Sequence, residues 1–237
     1  NQKGYRQIVM TPPHSSGKRY DNARFSNINP KVKPKNLIDI LKWKINSKQP
    51  KWPNSIPVSH TDVPPNNNPN DIIRVSYVGH VTFLVQTAGL NILTDPVWSD
   101  RVSPFSCIGP KRITKPGINF DDLPKIDIIL ISHNHYDHLD INTIKRLWER
   151  DKPQIIAPLL NDSVLQSNIT DIQVSTLNWY EKIDATSNCC ISLEPAQHWS
   201  ARGLFDRNKA LWGTFLITTK FGSICFIGDS GYNQSIF

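Results

Sequence analysis

"LPKIDIILISHNHYDHLD", residues 123–140, joins two kinds of chemistry in one stretch. The run from Lys125 to Ser132 is dominated by β-branched and aliphatic residues, which marks a strand covered on both faces. One residue further, His133, His135, Asp137 and His138 fall within six positions and hold three of the seven histidines of the chain. On an extended loop, residues i and i+2 point the same way, so His133 and His135 can grip one ion together. Asp137 and His138 follow where the chain should turn into a helix. They can reach a second ion about 3.5–4 Å from the first, a spacing that lets two ions share a bridging hydroxide. A lone histidine at a strand end is usually structural. Four ligand-type residues at this spacing predict a metal site, and zinc suits imidazole and carboxylate donors while leaving a position open for water.

A two-ion site needs more ligands than these four. His14, His60, His80 and His198 are the other histidines. His14 and His60 lie in Pro-rich loops and are expected to face solvent. His80, in "YVGHVTFL", is expected within a strand, either in the core or behind the metal ligands. His198, in "EPAQHWS", follows a predicted strand and precedes a turn, the place for a direct ligand. Asp229, in "FIGDSGY", ends another apolar strand, where a carboxylate could bridge two ions. Asp137 and Asp229 are the candidate catalytic carboxylates. Asp95, in "ILTDPVW", ends a further strand and is expected to orient the 133–138 loop from behind. Trp199 and Arg202 follow His198 and are candidate substrate contacts, since an arginine can grip phosphate with two parallel hydrogen bonds. Arg207 is expected to pair with Asp206 or solvent, and Leu211 and Trp212 to enter the core.

At 237 residues the chain can bury a full core, and 38% hydrophobic with 20% charged residues indicates a globular protein. No stretch approaches the roughly 18–20 apolar residues of a membrane span. No charged-then-apolar leader is present, but the first residue is Asn1 rather than Met. That absence says little about the compartment: cytoplasmic and peripheral membrane locations are open, and a periplasmic one if a leader was removed before Asn1. The +7 net charge favours anionic surroundings. The basic residues are scattered without aromatic interleaving, so nucleic acid is not the expected partner. Cys107, Cys189, Cys190 and Cys225 show no CxxC spacing, and neither a disulfide framework nor a cysteine zinc site is expected. Cys225 is expected to be a small buried hydrophobe.

Residues 1–70 form an irregular, basic segment, with Pro-rich and Asn-rich turns around one predicted helix. In that helix Leu37, Leu41 and Ile45 recur every fourth residue, with Ile38 and Ile40 beside them and lysines flanking. It either packs on the core or forms a basic amphipathic surface that meets a membrane. From Ile72 strands and helices alternate, which predicts a layered α/β domain over residues 71–237.

The motif "HNHYDH" after an apolar strand is similar to the HxHxDH signature of the metallo-β-lactamase fold. "GHVTFLV", "ILTDPVWSDRVSP", "GPKR", "PAQHWSARGLFDRNKALWGTF" and "GDSGY" extend the likeness. Together they resemble the N-acyl-phosphatidylethanolamine-hydrolysing phospholipases D and their bacterial relatives, from about Gly17 to Tyr232. The resemblance implies a four-layer αββα sandwich with two zinc ions. His133, His135 and His198 would hold one, Asp137 and His138 the other, and Asp229 would bridge them. It implies hydrolysis of a phosphodiester by a metal-bound hydroxide, a phospholipid-type substrate and membrane proximity through the Leu37–Ile45 helix. The family pattern adds a histidine on the second zinc well downstream of Asp229, whereas this chain ends at Phe237, eight residues after it. The domain thus reads as truncated at its C-terminus, with the second zinc incomplete. His14 or His60 would be the only substitutes, and no spacing supports either. Hydrolysis of another small ester or lactone, a nuclease, and an inactive metal-binding fragment are the alternatives. The sequence carries no signal for oligomeric state.

Overall fold

The computed structural model describes residues 20–21, 24–28, 37–47, 52–59, 61–66, 72–105, 107–234 and 236, so His14 and His60 fall outside it. Strands β1 (Tyr20–Asp21) and β2 (Arg24–Phe25) pair antiparallel, and helix α1 spans Leu37–Asn46. A meander of β3 (Arg74–Gly79), β4 (Thr82–Thr87) and β5 (Leu90–Thr94) follows. Then come β6 (Ile128–Leu130), α2 (Ile141–Asp151), β7 (Gln154–Pro158), α3 (Asp162–Gln166) and β8 (Val174–Leu177). The last four strands are β9 (Lys182–Thr186), β10 (Cys189–Glu194), β11 (Thr214–Thr219) and β12 (Gly222–Phe226).

Strands β3 to β8 form a six-stranded sheet in sequence order, antiparallel as far as β5 and parallel from β5 to β8. The hairpin between β4 and β5 turns on Ala88 and Gly89, both at positive φ, the backbone twist that a two-residue hairpin requires. The second sheet, ordered β12-β11-β10-β9, is antiparallel throughout.

β6 is covered on both faces, as its composition predicts. Ile128 and Leu130 point into a cluster with Leu193, Trp212, Phe215 and Ile217 of the second sheet and its loops. Ile129 and Ile131 point the other way, against Ile144, Leu147 and Trp148 of α2 and Leu165 of α3. Alternation along one short strand therefore feeds two cores. Helices cover the outer face of the six-stranded sheet, and the four-stranded sheet covers its inner face. Among the described residues this makes three layers of the expected sandwich. Helix α2 begins where Asp140 accepts a hydrogen bond from the Asn142 backbone N–H and ends on Lys152 in the left-handed region, so both ends are capped.

One expectation fails here, and one of the two readings of helix α1 is not met. Cys225 is exposed, because on edge strand β12 the alternation turns Ile224 and Phe226 inward and Cys225 out. Helix α1 does not pack on the core with the side chains described: Ile38, Leu41, Trp43 and Ile45 are all exposed. Its apolar residues spread over more than half of the helix circumference, wider than the stripe that one sheet or helix can cover. No helix among the described residues is long and apolar enough to cross a membrane.

These placements predict opposite outcomes for two aliphatic truncations. Ile129, fully buried between sheet and helices, should lose about 2–5 kcal/mol of unfolding free energy as Ile129→Ala. Leu41→Ala on α1 should change it by less than about 0.5 kcal/mol. Urea denaturation of the two variants checks both, and a large loss at Leu41 would mean that α1 packs on the core after all.

Candidate metal centre

Four strands deliver site residues just past their C-terminal ends, and these converge at one edge of the sandwich. β5 leads to Asp95, β6 to the His133–His138 loop, β10 to His198 and β12 to Asp229. The 133–138 loop tightens into a turn in which the His138 and Leu139 N–H groups donate to the His135 carbonyl, before Asp140 caps α2.

His133, His135 and His198 form the first ligand group. His133 Nε2 lies 2.8 Å from His135 Nδ1, and His198 Nε2 lies 3.2 and 3.3 Å from those two atoms. Donors on a tetrahedral ion with bonds of about 2.0–2.1 Å are separated by about 3.3 Å, close to this triangle. Three imidazole nitrogens facing one another cannot all be satisfied by mutual hydrogen bonds, whereas an ion at their centre takes all three lone pairs. Burial, then the neighbouring imidazoles, drives His133 well below the usual imidazole range. Burial first and the adjacent imidazoles next bring His198 to about 4, and burial likewise brings His135 to about 4. All three are neutral donors at pH 7.

The second group is His80, Asp137 and His138. His80 Nε2 lies 3.3 Å from Asp137 Oδ2, and His138 Nε2 lies 3.9 Å from Asp137 Oδ1. His138 is fully buried, and its Nε2 faces the carboxylates of Asp137 and Asp229. Asp229 joins the groups, its Oδ2 standing 3.4 Å from His138 Nε2 and 3.7 Å from His198 Nε2. Burial alone would lower His138, but the carboxylates of Asp229 and Asp95 raise it to about 10. Burial opposes ionisation of Asp137, yet the His80 hydrogen bond and the His138 charge hold it at about 2. Asp229 is lowered chiefly by its interaction with His138. The donor set, imidazole nitrogen and carboxylate oxygen in two linked groups, fits divalent metal ions.

Behind the donors, Asp95 is fully buried. Its Oδ1 accepts from the Ser132 N–H at 2.7 Å, and its Oδ2 accepts from Ser132 Oγ and faces His138 Nδ1 at 2.7 Å. That contact fixes the His138 ring so that Nε2 aims at the site. Burial pushes the Asp95 carboxyl up against these hydrogen bonds. Ser132 Oγ also lies 2.9 Å from His133 Nδ1, so one hydroxyl touches the supports of both groups. Gly228 has φ 62°, and a Cβ there would fall 2.6 Å from Ser132 Cβ. Only glycine lets the Asp229 loop come this close.

The structure relocates other predicted residues. His80 is in neither a strand nor the core: it occupies the β3–β4 turn at φ 50°, half-exposed beside Asp137. Its neighbour Gly79, at φ 155°, ends β3 one residue early. Trp199 lies against His135 with ring centroids 4.2 Å apart, and the Arg207 guanidinium stacks 4.4 Å over Trp199 rather than pairing only with Asp206 or solvent. Arg202 Nη1 donates to the Asn134 and Leu139 carbonyls at 3.0 and 2.9 Å, while its guanidinium covers the Tyr136 ring. The geometry thus gives Arg202 work inside the ligand loop. Ser132, Gly228 and Asn27 escape sequence reasoning. Ser132 could have been suspected from its place beside the motif, but Asn27 carries no local signal.

A family model described as a beta-lactamase superfamily domain matches residues 90–235, a span that includes all six predicted ligands. Over 153 residues the chain is 43% identical to the Saccharomyces cerevisiae protein named N-acyl-phosphatidylethanolamine-hydrolyzing phospholipase D, mitochondrial, covering 63% of this chain and 32% of that one. Over 167 residues it is 36% identical to the Caenorhabditis elegans N-acyl-phosphatidylethanolamine-hydrolyzing phospholipase D 1, covering 66% and 46%. The chain spans about a third to a half of the length of these relatives. A metallo hydrolase from Ignicoccus hospitalis shares the fold, with a TM-score of 0.52 at 21% identity over 69% of this chain and 63% of that one. With its strands, its HxHxDH loop and its matched span in agreement, the chain belongs to the beta-lactamase superfamily.

Proposed function

We propose that this chain forms the metal-holding part of a metal-dependent hydrolase, with zinc as its metal and the phosphodiester of an N-acylated phosphatidylethanolamine as its target. One observation carries the reading: a single carboxylate oxygen of Asp229 lies within 4 Å of a donor from each group, the arrangement needed to span two ions. The identity to the yeast and worm enzymes supports the substrate class. When bound, such ions polarise a phosphoryl oxygen and lower the pKa of water toward about 7. The chain supplies the rest. His133, His135 and His198 offer neutral nitrogens, Asp137 and Asp229 offer carboxylates, and Asp95 keeps the His138 ring in one orientation. Trp199 packs edge-on against the His135 ring.

Helix α1 supports a membrane-facing reading. Ile38, Leu41, Trp43 and Ile45 are exposed beside Lys42, the mixture that seats a helix at an anionic bilayer surface. In a vesicle sedimentation assay Trp43→Ala should lower the bound fraction on phosphatidylserine-containing vesicles. Unchanged sedimentation would remove the helix from the membrane contact.

Zinc analysis with an assay on N-acyl-phosphatidylethanolamine vesicles tests the main reading. The wild-type chain should hold two zinc ions, and His135→Ala should lose one of them together with any hydrolysis. Full zinc content in the variant would place the ion elsewhere.

Proton release follows from the shifted groups. His135 and His198, at about 4, are already unprotonated at pH 7 and release nothing on binding. His138, raised to about 10, carries a proton at pH 7 and must give it up. Zinc calorimetry in buffers of different ionisation enthalpy should therefore show about one proton more released by the equivalent that enters the His138 group than by the other. Equal release from both would contradict the assignment.

A further inference from the structure

His198 lies past the end of β10, where no strand ladder holds its backbone. A side chain from the N-terminal segment does so instead. Asn27 Nδ2 donates to the His198 carbonyl at 2.9 Å, and Asn27 Oδ1 accepts from the His198 N–H at 3.0 Å. One planar amide thereby satisfies both backbone groups of one residue, as a neighbouring strand would. The contact is not isolated. The Phe25 N–H donates to the Asn208 carbonyl at 2.7 Å, and Arg24 donates to the carbonyls of Phe205 and Arg207. The Phe25 side chain is buried in the core between the sheets, which anchors this strap to the sandwich. Inside the loop, Ser200 and Asn208 close on each other: the Asn208 N–H donates to the Ser200 carbonyl, and the Ser200 N–H donates to Asn208 Oδ1. Residues 198–208 are thus fastened from within by the Ser200–Asn208 pair and by Asp206, which accepts from the Arg202 and Gly203 N–H groups, and from outside by Arg24, Phe25 and Asn27.

We propose that Asn27 is a positioning residue for His198, and that the Arg24–Asn27 strap is a working part of the metal centre. The inference rests on the reading that His133, His135 and His198 hold an ion. Asn27 touches no donor atom; it acts by fixing the backbone from which the His198 ring reaches the other two. An amide is required because the task needs a donor and an acceptor on one rigid plane. Aspartate keeps the acceptor but turns a second oxygen toward the His198 carbonyl, and alanine offers neither.

The test titrates the purified full chain with zinc against a chelator, comparing wild type, His198→Ala, Asn27→Ala and Asn27→Asp. Both Asn27 variants should weaken one zinc equivalent about 10- to 100-fold, the usual effect of losing a group that orients a ligand. The other equivalent should keep its affinity, and the His198 N–H should lose protection in amide hydrogen exchange. The inference is overturned if His198→Ala loses an ion while both Asn27 variants bind like wild type. It is also overturned if both equivalents weaken alike together with a lower melting temperature of the metal-free protein, since that marks general destabilisation. If His198→Ala itself binds both ions normally, the underlying metal assignment fails, and the Asn27 inference falls with it.

Discussion

Asp95 is the constraint on which the centre depends. It is a fully buried carboxylate at φ 33°, in the left-handed region and directly before Pro96. Such a backbone costs of order 1–3 kcal/mol and persists only where the surroundings over-determine it. Here they do. Its N–H continues the sheet to the Leu130 carbonyl, and its own carbonyl accepts from Thr82 Oγ1. The side chain then ties Ser132 and His138 to the end of β5. The strain turns the carboxylate across the strand ends instead of along the ladder, and the ligand loop forms around it.

The two ligand groups differ in electrical character. The histidine triangle is neutral and well buried, whereas Asp137 and Asp229 are about two-fifths exposed and carry charge beside His138. In the second group the carboxylates of Asp229 and Asp95 favour the charged form of the His138 imidazole. The first has no such carboxylate partner, and the backbone that carries it is gripped by two side chains: Arg202 on the ligand loop and Asn27 on His198. Precision on one side comes from packing, and on the other from charge.

Much of this could be read from the sequence where the signal was local. Strand β6 was legible because an apolar run with no alternation has to be buried on both faces, and the adjacent ligand spacing named the chemistry. Asp95, His198 and Asp229 were legible because each stands just past an apolar strand. The misreadings share a cause. His80 was read into a strand because its apolar neighbours continue the alternation, although Gly79 permits a turn there. Cys225 was read as buried because composition does not reveal which face of an edge strand looks outward. The periodicity of α1 was real, but no partner surface was visible to a one-dimensional pattern. Asn27 was illegible for a different reason: its partner is 171 positions away, and nothing in its neighbourhood requires the contact.

Gly228 carries a further consequence. The Asp229 carboxylate and the histidine loop follow strands of different sheets, and their separation is set where the backbone of one touches the side chain of Ser132 on the other. The gap across the centre is therefore gauged by a missing methyl group. A chain can vary the residues facing the site while this spacer stays fixed, so the reach between the two ligand groups is a property of the scaffold rather than of the side chains it carries.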